Sequence, residues 1–202
     1  VLNLLDHHKL PVKQVVPIIT CRIKTLKGRS TEVIANDTTA RIRSWALTRE
    51  YRVTYRDSLH SSEELTKGTL QKFSPGQKDS VTVTISEGMQ DELKVDVGDS
   101  LVFDIQGVPL AVKISGIRKV EWPKDPPNFI FVFPKGILEQ APQIWVVTTK
   151  VDQQAESHLF QKELVTAYPN VSLVDLRLIL STVEELFGKI SVVIRFLAMF
   201  SI

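Results

Sequence analysis

The spacing of apolar residues changes character several times along this chain. In VLNLLDHHKL, residues 1–10, it fits a short helix, which Pro11 stops. VVPIITCRIKTL, residues 15–26, is a β-rich run ending at the turn Lys27-Gly28-Arg29. From 49 to 143 the apolar runs shorten and predict strands over 51–55, 81–85, 100–105, 110–117 and 129–133. Turn signals separate them at 74–76 (Ser-Pro-Gly), 97–99 (Val-Gly-Asp), 106–107 (Gln-Gly) and 123–128. IWVVTT, residues 144–149, predicts a further strand, and 153–168 a helix with Phe160, Leu164, Ala167 and Tyr168 on one face. Pro169-Asn170 ends that helix, 171–174 reads as a short strand, and Asp175 suits the N-cap of a long final helix.

The final helix is one-sided at first. Leu176, Ile179, Leu180, Val183, Leu186, Phe187 and Ile190 recur at intervals of three and four, with Glu184, Glu185 and Lys189 on other faces. After Ile190 the polar face fades, and 190–202 is broken only by Ser191, Arg195 and Ser201. These 13 residues are fewer than the ~20 a bilayer span needs. Either they are a buried terminal helix or they are the first turns of a transmembrane helix. The change from one-sided to all-round apolar favours the second. Arg195 counts against full immersion, although a side chain of that length can snorkel to an interface. A chain that opens on Val1 and stops within an apolar run reads as a segment of a longer protein.

The expected fold class is α+β, in two lobes. Residues 1–28 and 144–189, from both chain ends, form an α+β lobe, and residues 29–143 form an inserted β-rich lobe, with a small barrel as one way to close it. Residues 190–202 begin a membrane helix. Composition fits a folded chain with a real core, at 43% apolar and 24% charged residues. A net charge of +2 without a basic run speaks against nucleic acid as a partner. Cys21 is the one cysteine, so an internal disulfide and a multi-cysteine zinc site are excluded.

Oxygen-bearing side chains are dense in TISEGMQDELKVDVGDSLVFDIQG, residues 84–107. A serine-hydrolase elbow needs glycine two residues before and two after the nucleophile. Gly88 satisfies one side of Ser86, but Thr84 stands on the other. Asp96 and Asp99 sit in a Val-Asp-Val-Gly-Asp turn, where aspartate accepts backbone N–H bonds, and Glu87, Asp91 and Glu92 suit a short helix and its first turn. Architecture therefore explains the stretch better than catalysis. His7 and His8 point ~100° apart on a helix and cannot share one ion unaided. No Gly-x-Gly pair or phosphate loop occurs, so no nucleotide or other cofactor is expected. Trp122 precedes a Pro-rich stretch in VEWPKDPPNFIFVF, residues 120–133, which is either a contact surface or a rigid crossover with an inward-packed indole.

Several stretches together resemble one family: TISEGMQDELKVDVGDSLVFDIQGVPLAVKISGIRKVEW, then PPNFIFVFPKGILEQAPQIWVVTT, then YPNVSLVDL leading into the apolar helix, with YRVTYRDSL at 51–59. They are similar to the extracytoplasmic domain of bacterial ABC-transporter permeases of the MacB/LolC/FtsX type, and within it to the YbbP-like subgroup. The resemblance is specific over 81–149 and weak over 1–14 and 60–80. It implies a periplasmic core domain between the first two membrane helices, in two lobes, one inserted in the other. It further implies an inner-membrane protein whose domain faces the periplasm or cell exterior and catalyses nothing, ATP being hydrolysed by a separate cytoplasmic subunit. That subunit, reached through the membrane helices, and a second permease copy are the implied partners. A periplasmic partner protein or an amphiphilic substrate (lipid, lipoprotein or hydrophobic small molecule) would be met outside.

In this reading Leu176, Leu180, Val183, Leu186, Phe187 and Ile190 form the stripe of a coupling helix, and Trp122, Pro123, Pro126, Pro127 and Asn128 are the candidate contact. Two other classes stay open at this level. One is a secreted hydrolase or esterase using Ser86 or a nearby carboxylate. The other is a free-standing extracellular binding module whose last helix packs in its own core.

Overall fold

The structure is a computed structural model that describes residues 1–73, 81–122, 124, 126–151, 154–175 and 190, the side chains of 154–157 excepted. The predicted turn at 74–76 lies outside the described residues. So do Pro123, the residues 176–189 predicted as the long helix with Leu176, Leu180, Val183, Leu186 and Phe187, and the apolar stretch from 191. Ile190 is helical and half exposed. Among the described residues no helix is long and apolar enough to cross a membrane. The fold mixes α and β and is strand-rich, with few helices.

The chain divides into two compact units, one of Val1–Val12 with Thr149–Ile202, the other of Lys13–Thr148. In the first, α1 (Leu2–His7) and α5 (Gln154–Ala167) contribute the buried residues Leu5, Phe160 and Leu164, joined by Leu10. The 160/164 spacing is the one that puts two side chains on one helical face. Ala167, predicted on that face, is exposed. The predicted strand at 171–174 does not form, because no neighbouring strand pairs with it among the described residues.

The second unit is built on β1 (Val12–Leu26), β2 (Arg29–Ser30), β3 (Tyr51–Tyr55), β4 (Glu63–Gly68), β5 (Val81–Ser86), β6 (Ser100–Ile105), β7 (Val108–Val120), β8 (Phe131–Phe133) and β9 (Ile144–Thr149). Three short helices join them: α2 (Thr31–Ala35), α3 (Ser44–Thr48) and α4 (Glu87–Leu93). Strand pairing closes on itself. The order β1-β3-β8-β5-β7 is completed by β6, which pairs with both β7 and β1. The result is a six-stranded barrel in which β3/β8 and β5/β7 run parallel and the other neighbours antiparallel. Closure leaves these six strands no unpaired edge along the ring. β2, β4 and β9 attach outside it, to β1, β7 and β1 respectively.

Alternation decides which side chains fill the barrel. Ile19, Cys21 and Ile23 of β1 are buried at every second position, as are Leu101, Phe103 and Ile105 of β6. Phe131 stacks edge-on against Tyr51 and Phe103, each at 5.0 Å between centroids, and Phe103 meets Phe133 at 5.5 Å. Two-residue turns join β1 to β2 at Lys27-Gly28 and β6 to β7 at Gln106-Gly107. All four residues have positive φ, the turn geometry whose twist matches paired strands. β4 reaches β7 with Gly68 opposite Gly116. A Cβ on Gly68 would strike the Ser115 carbonyl, and one on Gly116 would lie 2.9 Å from the Leu65 side chain, so the close approach needs two glycines.

Candidate functional site

The dense stretch at 84–107 is architectural. Ser86 is buried at the start of α4, and Met89 and Leu93 pack inward four residues apart. Asp99 accepts from the Asp96 N–H at 2.8 Å, and Asp96 accepts from the Val97 N–H at 2.8 Å. That backbone donor, with Lys67 beside it, holds the Asp96 carboxyl below the usual range. Asp99 also pairs with Lys27 at 2.8 Å. His8 uses Nε2 on Glu163 at 2.7 Å and sets its ring edge-on to Phe160, while His7 stands edge-on to His8. Among the described residues no three His, Cys, Asp or Glu side chains gather as a metal site.

The predicted contact stretch has a different character. Trp122, just past the end of β7, is 51% exposed, and Pro126 is exposed. Pro127 and Asn128 are half-buried. The Asn128 amide nitrogen donates to the carbonyls of Trp122 and Lys124, both at 3.0 Å, and of Glu121 at 3.5 Å. One side chain thus gathers three backbone acceptors and holds the stretch around them. The indole is presented outward rather than packed in.

Beneath this stretch lies a polar cluster that sequence reasoning missed. Arg118, on β7, is fully buried. Its Nε donates to Thr84 Oγ1 at 2.9 Å, and Nη2 donates to the carbonyls of Phe129 and Ile130 at 3.1 and 3.0 Å. Nη1 pairs with Oε1 of the equally buried Glu63. Glu63 Oε2 receives Arg56 Nη2 at 2.5 Å and the His60 N–H at 3.2 Å. Burial pushes the Arg118 guanidinium down to about 10, against the pull of Glu63 and with a small further push from Arg56. Two guanidiniums, that of Arg118 fully buried and that of Arg56 partly exposed, therefore share one buried carboxylate. Arg56 Nε finds no hydrogen-bond partner among the described residues.

A second chain of contacts runs beside the cluster. Gln14 Nε2 lies 2.6 Å from His60 Nε2, His60 Nδ1 3.0 Å from Ser62 Oγ, and Ser62 Oγ 2.7 Å from Asn128 Oδ1. The sequence signal for the buried cluster was an arginine inside the apolar run AVKISGIRKV, residues 111–120, where a solvent-facing cation is the usual reading. Glu63 carried no signal, because β4 pairs with β7 alone among the described residues and shows no apolar face.

Two surface clefts accompany these features, and both are smaller than the roughly 300–1,000 Å³ of a typical ligand pocket. One of about 230 Å³ is lined by Thr20, Cys21, Arg22, Glu50, Asp104 and Gln106. The other, about 220 Å³, is lined by Ser61, Ser62, Glu63, Glu64, Lys119 and Glu121. Burial, with Asp104 nearby, pushes the Cys21 thiol up to about 12, so it is no nucleophile at neutral pH.

No family model matches the chain. It is 26% identical over 179 residues to the uncharacterized ABC transporter permease YbbP of Escherichia coli (strain K12), a match that covers 89% of this chain. The chain spans about a fifth of the length of that curated relative, 20%. Among solved structures it matches a domain of a Porphyromonas gingivalis protein assigned as a permease. The TM-score is 0.37 and the identity 14%, over 80% of this chain and 68% of that one. The match to YbbP bears out the permease resemblance read from the sequence.

Proposed function

We propose that the chain is an extracytoplasmic domain of an inner-membrane ABC-transporter permease, a part that transmits motion and makes contacts rather than bonds. The observation that carries this reading is the similarity to YbbP over 89% of the chain. The buried Ser86 and the unreactive Cys21 fit a domain without catalysis. In the two-lobed reading an α+β lobe comes from both chain ends and the barrel is the inserted β-rich lobe. The division of the chain after Val12 and before Thr149 supports the insertion, with other bounds than the expected 1–28 and 144–189. β1 past Val12 and β9 up to Thr148 go with the barrel unit, and the unit of the chain ends shows two helices and no strand of its own among the described residues. ATP-driven closure of a cytoplasmic ATP-binding subunit moves the membrane helices, and the helix predicted from Asp175 onward carries that movement outward. The segment at Trp122 then meets an amphiphilic substrate or a periplasmic partner protein, and a second permease copy completes the transporter.

Two experiments test this. Val33 is exposed and Cys21 is buried, so Val33→Cys adds a reactive thiol to this domain, read as labelling above that of the same permease without the substitution. In intact cells expressing the full-length permease, a membrane-impermeant maleimide is expected to label it without lysis. Labelling only after lysis overturns the extracytoplasmic placement. Leu186→Asp in the same protein, reconstituted with its ATP-binding subunit, is expected to uncouple export from ATP turnover. Unchanged coupling in a folded variant overturns the mechanical role.

A further inference from the structure

The chain of contacts from Gln14 to Asn128 has a direction that chemistry fixes. Carbonyls only accept, so the Asn128 nitrogen faces the carbonyls of Glu121, Trp122 and Lys124, and its Oδ1 faces Ser62. That oxygen cannot donate, so the Ser62 hydroxyl spends its one proton on it. Ser62 Oγ is then an acceptor toward His60, and Nδ1 of the imidazole carries the proton between them. His60 Nε2 is left with a lone pair, which receives the Gln14 amide N–H. Every link is thus assigned: Gln14 donates to His60, His60 to Ser62, and Ser62 to Asn128. All four groups are half-buried or buried, where a severed link is not simply replaced by water.

The two ends of this chain are unlike. Asn128 organises the carbonyls around Trp122. Gln14 stands near the start of β1, two residues past Val12, where the backbone leaves one compact unit for the other. A load passing along the backbone into the barrel reaches Gln14 almost at once. We propose that Gln14, His60, Ser62 and Asn128 form a coupling path by which displacement of the first residues of β1 repositions the segment that presents Trp122. The path rests on the reading of the domain as a mechanical part and gives that part an internal route. His60, Ser62 and Asn128 are positioning residues, and Trp122 is the group they position.

The test keeps Trp122 as the sole indole, by Trp45→Phe and Trp145→Phe, and measures its acrylamide quenching in the chain. Gln14→Ala, remote in sequence from the reporter, is expected to raise the quenching constant about twofold, the low end of coupling between residues of one network. Combined with Asn128→Ala it is expected to add little beyond Asn128→Ala alone. An unaltered constant in Gln14→Ala, or effects that simply add, overturns the path. If Asn128→Ala does not fold, Ser62→Ala closes the same cycle. Nitrogen-15 NMR supplies a readout that packing alone would not set: His60 is expected as the Nδ1–H tautomer, and an Nε2–H tautomer overturns the path. Failure of these measurements leaves the transport reading standing, since labelling and Leu186→Asp test that reading separately.

Discussion

Two buried regions of the barrel unit reach the same exclusion of water by opposite chemistry. Tyr51, Phe103, Phe131 and Phe133 are at most 1% exposed and meet edge to face. Glu63 and Arg118 are equally buried, yet hold charges. The aromatic region is stabilised by area and shape, which many apolar residues supply in part. The charged region depends on directed bonds from Arg118 of β7 to particular atoms of β4, β5 and the approach to β8. Removing one partner there strands the others, because a buried ion without its counter-charge costs several kcal/mol. The comparison teaches that the first region sets how stable the unit is, and the second sets where one segment must lie. That segment is the one leading from Trp122 into β8.

The largest expected effect comes from breaking the charged region unevenly. Glu63→Ala leaves two guanidiniums facing each other and is expected to cost about 4–5 kcal/mol in urea unfolding. Replacing Arg56, Glu63 and Arg118 together by Met, Leu and Met is expected to recover most of that loss, an outcome with no counterpart in the aromatic region. Phe131→Ala comes next, at about 3–4 kcal/mol by the same measurement, with Phe131→Leu losing less. Smaller again is Thr84→Val, which keeps shape but removes the acceptor of Arg118 Nε and the donor to the Val132 carbonyl. About 1–3 kcal/mol is expected, measured as a shift in the urea midpoint.

Two milder tests concern titration. With its thiol at about 12 and 2% exposure, Cys21 is expected to react with a disulfide reagent at pH 8 at least about tenfold faster in urea than in the folded chain. Equal rates would mean that the interior of β1 is open. Asp37 is the smallest. Hydrogen bonds from Thr39 and then Arg29 hold its carboxyl at about 2. The folded value lies below the unfolded one, so its contribution is complete above about pH 4 and is lost as pH falls through about 2. Asp37→Asn is expected to flatten the acid limb of stability across that window, read by circular dichroism against pH.

Local pattern located most strands but misjudged their ends where side chains interfered. The strands at 51–55, 100–105 and 144–149 lie where the short β-rich runs put them. The strand predicted from 129 begins at Phe131: the Phe129 carbonyl goes to the Arg118 guanidinium, and the Ile130 carbonyl is shared between that guanidinium and the Ser86 backbone N–H. β4 was invisible, since EELTKG has no apolar face to advertise. Trp122 and Asn128 were legible as a candidate contact, but as an open choice between an outward and an inward indole. The three carbonyls gathered by Asn128 explain how the outward placement is held, and nothing in the spacing of residues 121–128 encodes that clamp.

Residue order alone determined part of the rhythm of this protein: which side of β6 turns inward, where the Lys27-Gly28 and Gln106-Gly107 hairpins bend, and which turns the aspartates cap. Those features depend on neighbours a few residues apart, so sterics and short-range hydrogen bonds settle them. Tertiary structure alone decided that β6 closes the ring between β7 and β1, and that Arg118 finds Glu63 fifty-five residues away. It also decided that His60 joins Gln14 to Ser62 and so to Asn128. A polar side chain can satisfy its bonds with water or with many partners, and only the closed barrel removes the water and leaves one partner within reach.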